Sequence, residues 1–133
     1  MKAGKVVFLL VFVCLGSLLS LKAQQGDVIA QIKETIKAGS AKELGKYLNQ
    51  TVDIAIDEKM ENYSKAQAEF VLRDFFKAHP PSEFNISHQG QSKGGQPYAI
   101  GSYKSGSENY RIFMKIKSTG NAQLIHEISF SKQ

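Results

Sequence analysis

Two histidines, His88 and His126, are the residues of this chain best suited to carry chemistry. Each alternates with apolar residues in a strand-like pattern, so each should share a strand face with apolar neighbours. A histidine in an apolar pocket can be tuned to exchange protons near neutral pH. A hydrogen-bonded histidine at the edge of a core explains the same pattern. Two histidines without an HxxxH or HExxH spacing do not make a zinc site, and we predict no metal and no cofactor.

Aromatic residues supply the other candidate contacts for a small apolar ligand. Tyr98 and Tyr110 lie in predicted strands and could offer hydroxyl groups, although tyrosine is common in strands without such a role. Phe70 departs from the apolar stripe of a predicted helix, so either another helix covers it or it lines a pocket or a dimer contact. The candidate ligand-binding residues are therefore His88, His126, Tyr98, Tyr110 and Phe70, and no catalytic residue is assigned.

The charged residues of the predicted strands match no catalytic motif. Asp53 and Asp57 could act as pocket acids, but they bracket the polar face of a strand, and a solvated strand face is the favoured interpretation. Arg111 and Lys115 share a strand face that could bind an anion or a partner, or could simply lie in solvent. The glycine-rich segment 90–95 lacks the residue order of a phosphate-binding loop and is predicted to be a turn.

One amphipathic helix in the middle of the chain must position these strands. Ser64 followed by Gln67 forms a capping-box pattern, and Pro80 and Pro81 end the helix. At about 1.5 Å per residue the helix is roughly 22 Å long, which matches a sheet with strands of about six residues. Its apolar stripe consists of Ala68, Val71, Leu72, Phe75 and Phe76.

The rest of the chain predicts a single α+β domain. Two short helices, over 27–38 and 40–48, precede a strand at 52–56 and a polar turn or weak strand at 57–62. After the prolines, four segments alternate apolar and polar residues and are joined by short turns, which makes neighbouring strands antiparallel. We therefore expect helices on the N-terminal side packed on an antiparallel sheet of four or more strands.

The first 23 residues predict a secretory signal peptide. Lys2 and Lys5 precede an apolar run that is too short to span a membrane, and small residues lead to a cleavage site near Ala23–Gln24. Cys14 follows a bulky valine, which does not suit the cleavage site of a lipoprotein. Residues 24–133 then contain no cysteine, which excludes disulfides and favours a bacterial envelope location, periplasmic or secreted.

Cleavage of this segment also changes the electrostatics of the chain. It removes three lysines and no acid, which leaves 14 basic and 12 acidic residues and lowers the net charge from +5 to +2. A net charge of +2 with scattered charged residues gives no reason to expect nucleic-acid binding. We also expect no membrane attachment after cleavage.

Several short segments resemble a family of exported bacterial proteins. They are Tyr63–Gln67, Asp74–Phe76, Pro80–Pro81, Phe84, His88, Gly90, Ser92, Gly94, Tyr98–Gly101 and Tyr110–Arg111. Together they are similar to domain-of-unknown-function family 4783, over about residues 27–130. The order of elements resembles the cone-shaped fold of nuclear transport factor 2 and ketosteroid isomerase, also called cystatin-like. The resemblance implies a curved sheet around the long helix, often dimeric through that sheet, and it implies no activity.

Two functional hypotheses follow. The first is a secreted or periplasmic, non-catalytic domain that binds a small apolar ligand or a protein and forms a homodimer through its sheet. The alternative is a small isomerase- or dehydratase-type enzyme in which His88 or His126 is a general acid or base in the cone. An enzyme needs an open apolar pocket with converging polar groups. An interaction domain can fill the cone with Phe75, Phe76, Ile86 and Ile128.

Overall fold

The computed structural model describes residues 28–133, and the predicted signal peptide with its cleavage site lies outside them. Within this range the helices precede most of the strands, which confirms the α+β prediction. The elements are α1 (Val28–Lys37), α2 (Ala41–Gly45), β1 (Leu48–Ile56), β2 (Lys59–Ser64), α3 (Lys65–Ala78), β3 (Glu83–Gln91), β4 (Pro97–Ser105), β5 (Glu108–Thr119) and β6 (Ala122–Lys132).

The strands form one curved, open sheet in the order β2-β1-β6-β5-β4-β3. Neighbours joined by a turn or short loop pair antiparallel, as predicted, whereas β1 and β6 are distant in the chain and pair parallel. The strand register shifts within β3, between β5 and β6, and between β1 and β6. Such irregularities bend strands and increase their twist, so they contribute to the curvature that lets the sheet wrap around α3.

Helix α3 begins with the predicted capping box. The Ser64 hydroxyl accepts a hydrogen bond from the Gln67 amide (3.3 Å), and the Gln67 side-chain oxygen accepts one from the Ser64 amide (3.4 Å). Both bonds satisfy amide groups that have no partner inside the helix. The helix ends at His79, the residue before Pro80, as the proline pair predicts. It buries Ala68, Leu72, Phe75 and Phe76 against the sheet and the other helices.

Two local predictions differ from the structure. Helix α2 ends at Gly45 rather than near residue 48, and Leu48 instead begins β1, where it is buried and pairs with Ile125 of β6. The weak strand predicted at 57–62 is the full strand β2, preceded by a two-residue turn at Asp57 and Glu58 with φ of 49° and 73°. Strand β2 lies at the sheet edge and is mostly exposed, so it lacks the apolar alternation that marks buried strands.

Gly101, in the middle of β4, allows the side chain of a neighbouring strand to cross it. The ring of Phe84 on β3 lies over this glycine and is fully buried. A Cβ atom at position 101 would overlap the Phe84 ring and would lie 2.9 Å from the backbone oxygen of Asn85. Because backbone cannot move aside as a flexible side chain can, this position requires glycine.

We therefore expect Gly101→Ala to lower the free energy of unfolding by about 1–3 kcal/mol through overpacking. Urea denaturation of Gly101→Ala and of Ser102→Ala, its exposed neighbour on the opposite face, measures the difference. Ser102→Ala should stay within about 0.5 kcal/mol of the wild type. Equal stability of the two variants would contradict the close packing of Phe84 on Gly101.

Candidate functional site

Aromatic side chains fill the space between α3 and the inner face of the sheet. The Phe75 ring lies 4.2 Å from that of Phe130 and 5.2 Å, edge-on, from that of Tyr110, measured between ring centroids. Tyr103 completes this group at 5.7 Å from Phe75, and all four residues are buried. These rings, which we call the aromatic stack, occupy the position where the enzymatic hypothesis requires an open pocket. Phe76 and Ile128 are also buried, while Ile86 is half-buried.

His79 lies at the C-terminal end of α3 and closes one end of the aromatic stack. Its ring packs 5.0 Å from Phe75, and its Nδ1 lies 3.1 Å from Oε1 of Glu108. A carboxylate only accepts hydrogen bonds, so Nδ1 carries the proton. The hydroxyl of Tyr103 donates to the His79 carbonyl, and the hydroxyl of Tyr110 lies 3.4 Å from His79 Nε2. The end of α3 is thereby tied to β4 and β5.

Glu108 connects this histidine to the last strand of the sheet. Its second oxygen lies 3.1 Å from Lys132 Nζ. The hydrogen bond from Lys132, and then the one from His79, hold the pKa of the Glu108 carboxyl below its ordinary value. Burial raises the pKa of Tyr103 and Tyr110, so both stay protonated and can donate. The strand alternation that singles out His88 and His126 does not include His79, which directly precedes the proline pair. The sequence contained one sign of the contact between His79 and Glu108, because His79 directly follows the helix whose apolar stripe ends at Phe75 and Phe76.

His88 and Tyr98 meet on the outer face of the sheet, away from the aromatic stack. His88 Nε2 lies 3.1 Å from the Tyr98 hydroxyl oxygen. The expectation that His88 projects into the cone is wrong, because the register shifts between Ile86 and His88. Ile86 pairs with Gly101, whose position on β4 faces inward. His88 pairs with Ile100, and the residues on both sides of Ile100 along β4 are buried, so Ile100 and His88 lie on the outer face.

The other three candidate residues lie apart from this pair. His126 is the extra residue of the bulge in β6, and its Nε2 lies 3.0 Å from Nε2 of Gln96. Tyr110 belongs to the aromatic stack. Phe70 is 63% exposed on the side of α3 away from the core, with the Arg73 guanidinium 5.2 Å from its ring centroid. No helix of residues 28–133 covers it, so that interpretation is wrong. The five residues do not form one site, and their role in ligand binding stays a prediction.

Open space near the candidate residues is found at the surface. A groove of about 400 Å³ between α1 and β3 includes His88 in its wall. A smaller one, about 180 Å³, lies between α3 and the β1–β2 hairpin. Residues 28–133 contain no cluster of three or more histidine, cysteine or acidic side chains arranged for a metal ion. The same range has no helix that is long and apolar enough to cross a membrane.

The helices packed on a curved open sheet define a nuclear transport factor 2-like fold, also called cystatin-like. An NTF2-like protein of unknown function from Shewanella baltica matches with a TM-score of 0.62 and 10% identity, over 86% of this chain and 95% of that chain. A cystatin-like domain of unknown function from Nostoc punctiforme matches with a TM-score of 0.60 and 9% identity, over 78% of this chain and 72% of that one. At these identities the likeness shows the fold alone.

The chain belongs to the family described as domain of unknown function DUF4783, whose model matches residues 29–131. A DUF4783 family protein from Bacteroides uniformis is 30% identical, over 80% of this chain and 97% of that chain, with a TM-score of 0.75. One from Bacteroides ovatus is 30% identical, over 78% and 94%, with a TM-score of 0.74. None of the curated proteins compared with the chain matches it. The family and fold that the sequence motifs predict are confirmed.

The Glu108 contacts predict a pH dependence of stability. Because the folded-state pKa of Glu108 lies below the ordinary value of 4.5, its stabilising effect is complete above that pH and is lost as the pH falls through the folded-state value. The urea midpoint of Glu108→Gln should therefore fall less than that of the wild type between neutral pH and about pH 3. Asp74→Asn, on the exposed surface of α3, is the control and should follow the wild type. Parallel curves for Glu108→Gln and the wild type would contradict the prediction.

Proposed function

We propose that this domain is a non-catalytic protein-interaction module that forms a homodimer through the outer face of its sheet. The observation that carries the proposal is the filled interior together with a partly buried apolar surface on the opposite side of the sheet. The isomerase or dehydratase alternative needs a histidine in an open cone. The aromatic stack fills that cone and His88 faces outward, so both observations favour the interaction module.

The centre of the proposed interface is apolar. Ile100 of β4 and Phe113 of β5 are directly paired on the outer face, and each is only half-buried in the single chain. The Tyr98 ring lies 6.0 Å from that of Phe113, which extends the patch towards His88. We call these four residues the outer patch. Interfaces commonly place aromatic and aliphatic residues at the centre, where water is excluded.

The charges around the outer patch suit contact with a second copy. Arg111 and Lys115 lie on β5, while Glu127 of β6 and Asp53 of β1 lie side by side in adjacent strands. Lys115 and Glu127 already form an ion pair within one chain, at 3.7 Å, whereas Arg111 is exposed and forms no ion pair within residues 28–133. A two-fold axis brings the same surface of both copies together, so the basic strand of one copy can face the acidic strands of the other. Such complementarity aligns the two subunits in one register.

This proposal predicts that the mature chain, residues 24–133, has the mass of a dimer in light scattering at micromolar concentration. Phe113→Asp should give a monomer, because burying an unpaired carboxylate at the interface is unfavourable. Phe70→Asp is the matched control, since Phe70 is also an exposed-side aromatic residue but lies on α3, and it should remain dimeric.

Circular dichroism of both variants is the control for folding, and both should give the spectrum of the wild type. Arg111→Glu, at an exposed position, tests the charge arrangement without changing the apolar centre, and it should weaken the dimer most at low salt. A wild-type monomer at tens of micromolar would overturn the proposal. Dissociation by Phe70→Asp, with Phe113→Asp unchanged, would assign the interface to α3 instead.

We further propose that the protein is exported to the bacterial periplasm or beyond. Two features support export. Residues 1–23 have a positively charged N-terminal region, an apolar run and small residues before Gln24, and residues 24–133 contain no cysteine. When residues 1–133 are expressed in a bacterial host, mass spectrometry of the envelope fraction should find a protein that begins at Gln24. Ala23→Arg should accumulate as the precursor, whereas Gln24→Asn should be processed normally. Intact Met1 in the cytoplasm, or a lipid on Cys14, would contradict the proposal.

A further inference from the structure

The groove between α1 and β3 has the dimensions of a small-molecule site. Its volume is about 400 Å³, within the range of about 300–1,000 Å³ that is usual for ligand pockets. Its apolar lining comes from α1 and β3 together, through Ile29, Ala30 and Ile86. Its polar lining comes from the same two elements, through Lys33, Ser87, His88 and Gln89. The groove therefore offers both apolar surface and hydrogen-bond donors.

The irregularity in β3 explains how four consecutive residues line one groove. In a regular strand Ser87 would point to the face opposite Ile86 and His88. The register shift makes Ser87 an extra residue that has no partner in β4, at the exposed edge of the sheet. Bulges at sheet edges commonly redirect side chains in this way. Ile86, Ser87, His88 and Gln89 thus surround the groove together.

The charge and the free hydrogen-bonding groups of this groove favour an anion. Lys33 is half-buried and forms no ion pair within residues 28–133, and none of the lining residues in that range is acidic. The Ser87 hydroxyl donates to the backbone oxygen of Ile100, so its proton is already used. If His88 Nε2 accepts from Tyr98, then Nδ1 carries a proton that is free to donate.

We propose that the α1–β3 groove binds a small monocarboxylate with an apolar tail. Lys33 holds the carboxylate through its ammonium group, with His88 and Gln89 as further donors. The tail lies against Ile29 and Ile86. The carboxylate forms an ion pair with the half-buried ammonium, and the tail removes apolar surface from water. His88 belongs to both the groove and the outer patch, but the inference does not rest on the proposed dimer, because Lys33, Ile29 and Ile86 lie outside the patch.

Sodium octanoate is the probe, titrated into isotope-labelled residues 24–133 and followed by amide NMR shifts. We expect saturable shifts at Ile29, Lys33 and the segment 86–89. Octanol, which has a tail but no charge, and acetate, which has a charge but no tail, should each bind at least about tenfold more weakly. Octanol binding as tightly as octanoate, or the absence of saturable shifts at millimolar octanoate, would overturn the proposal.

Lys33→Met removes the ammonium and keeps most of the stem, and it should weaken octanoate binding about tenfold or more. Lys37→Met is the matched control, because Lys37 is an exposed lysine one turn further along α1 that does not line the groove. It should bind like the wild type. Equal affinity of the two variants would overturn the role of Lys33. Titration of the Phe113→Asp variant separates the two proposals, since octanoate binding should persist whether or not the protein is dimeric.

Discussion

The packing of Phe75 against the sheet is the constraint on which the rest of this structure depends. One side chain of α3 contacts Phe130, Tyr103 and Tyr110, which come from three neighbouring strands. A buried phenylalanine of this kind contributes roughly 3–5 kcal/mol, a large part of the stability of a small domain. Because the chain contains no cysteine after residue 23, this core cannot be replaced by disulfides. The interior between α3 and the sheet therefore serves the stability of the domain.

His79 completes this arrangement at the point where the helix ends. Tyrosines 103 and 110 are large and buried, and their hydroxyl groups need partners inside the protein. The carbonyl and ring of His79 provide them, since Pro80 ends the helix there and leaves that carbonyl outside the helical pattern. Glu108 and Lys132 then orient the histidine from the solvent side. One junction thus satisfies the buried hydroxyls and fixes the helix against three strands.

Register shifts in the sheet determine which side chains face outward. The irregularity in β3 moves His88 to the outer face and opens the groove beside α1, and the bulge in β6 places His126 beside Gln96. The same curvature lets the inner face close around α3, so filling the interior and forming the outer surfaces have a common cause. The outer patch and the α1–β3 groove are neighbouring surfaces that meet at His88.

The sequence by itself determined the features that depend on neighbours in the chain. The capping box at Ser64, the proline stop after His79 and the four alternating strands are local patterns, and the segments shared with the family were enough to predict the fold. Only the tertiary structure decided the parallel pairing of β1 with β6, the outward position of His88 and the contact between His79 and Glu108. These depend on residues far apart in the chain or on a one-residue shift of register. Alternation within a single strand cannot reveal that shift, because the extra residue reverses the face of every residue that follows it.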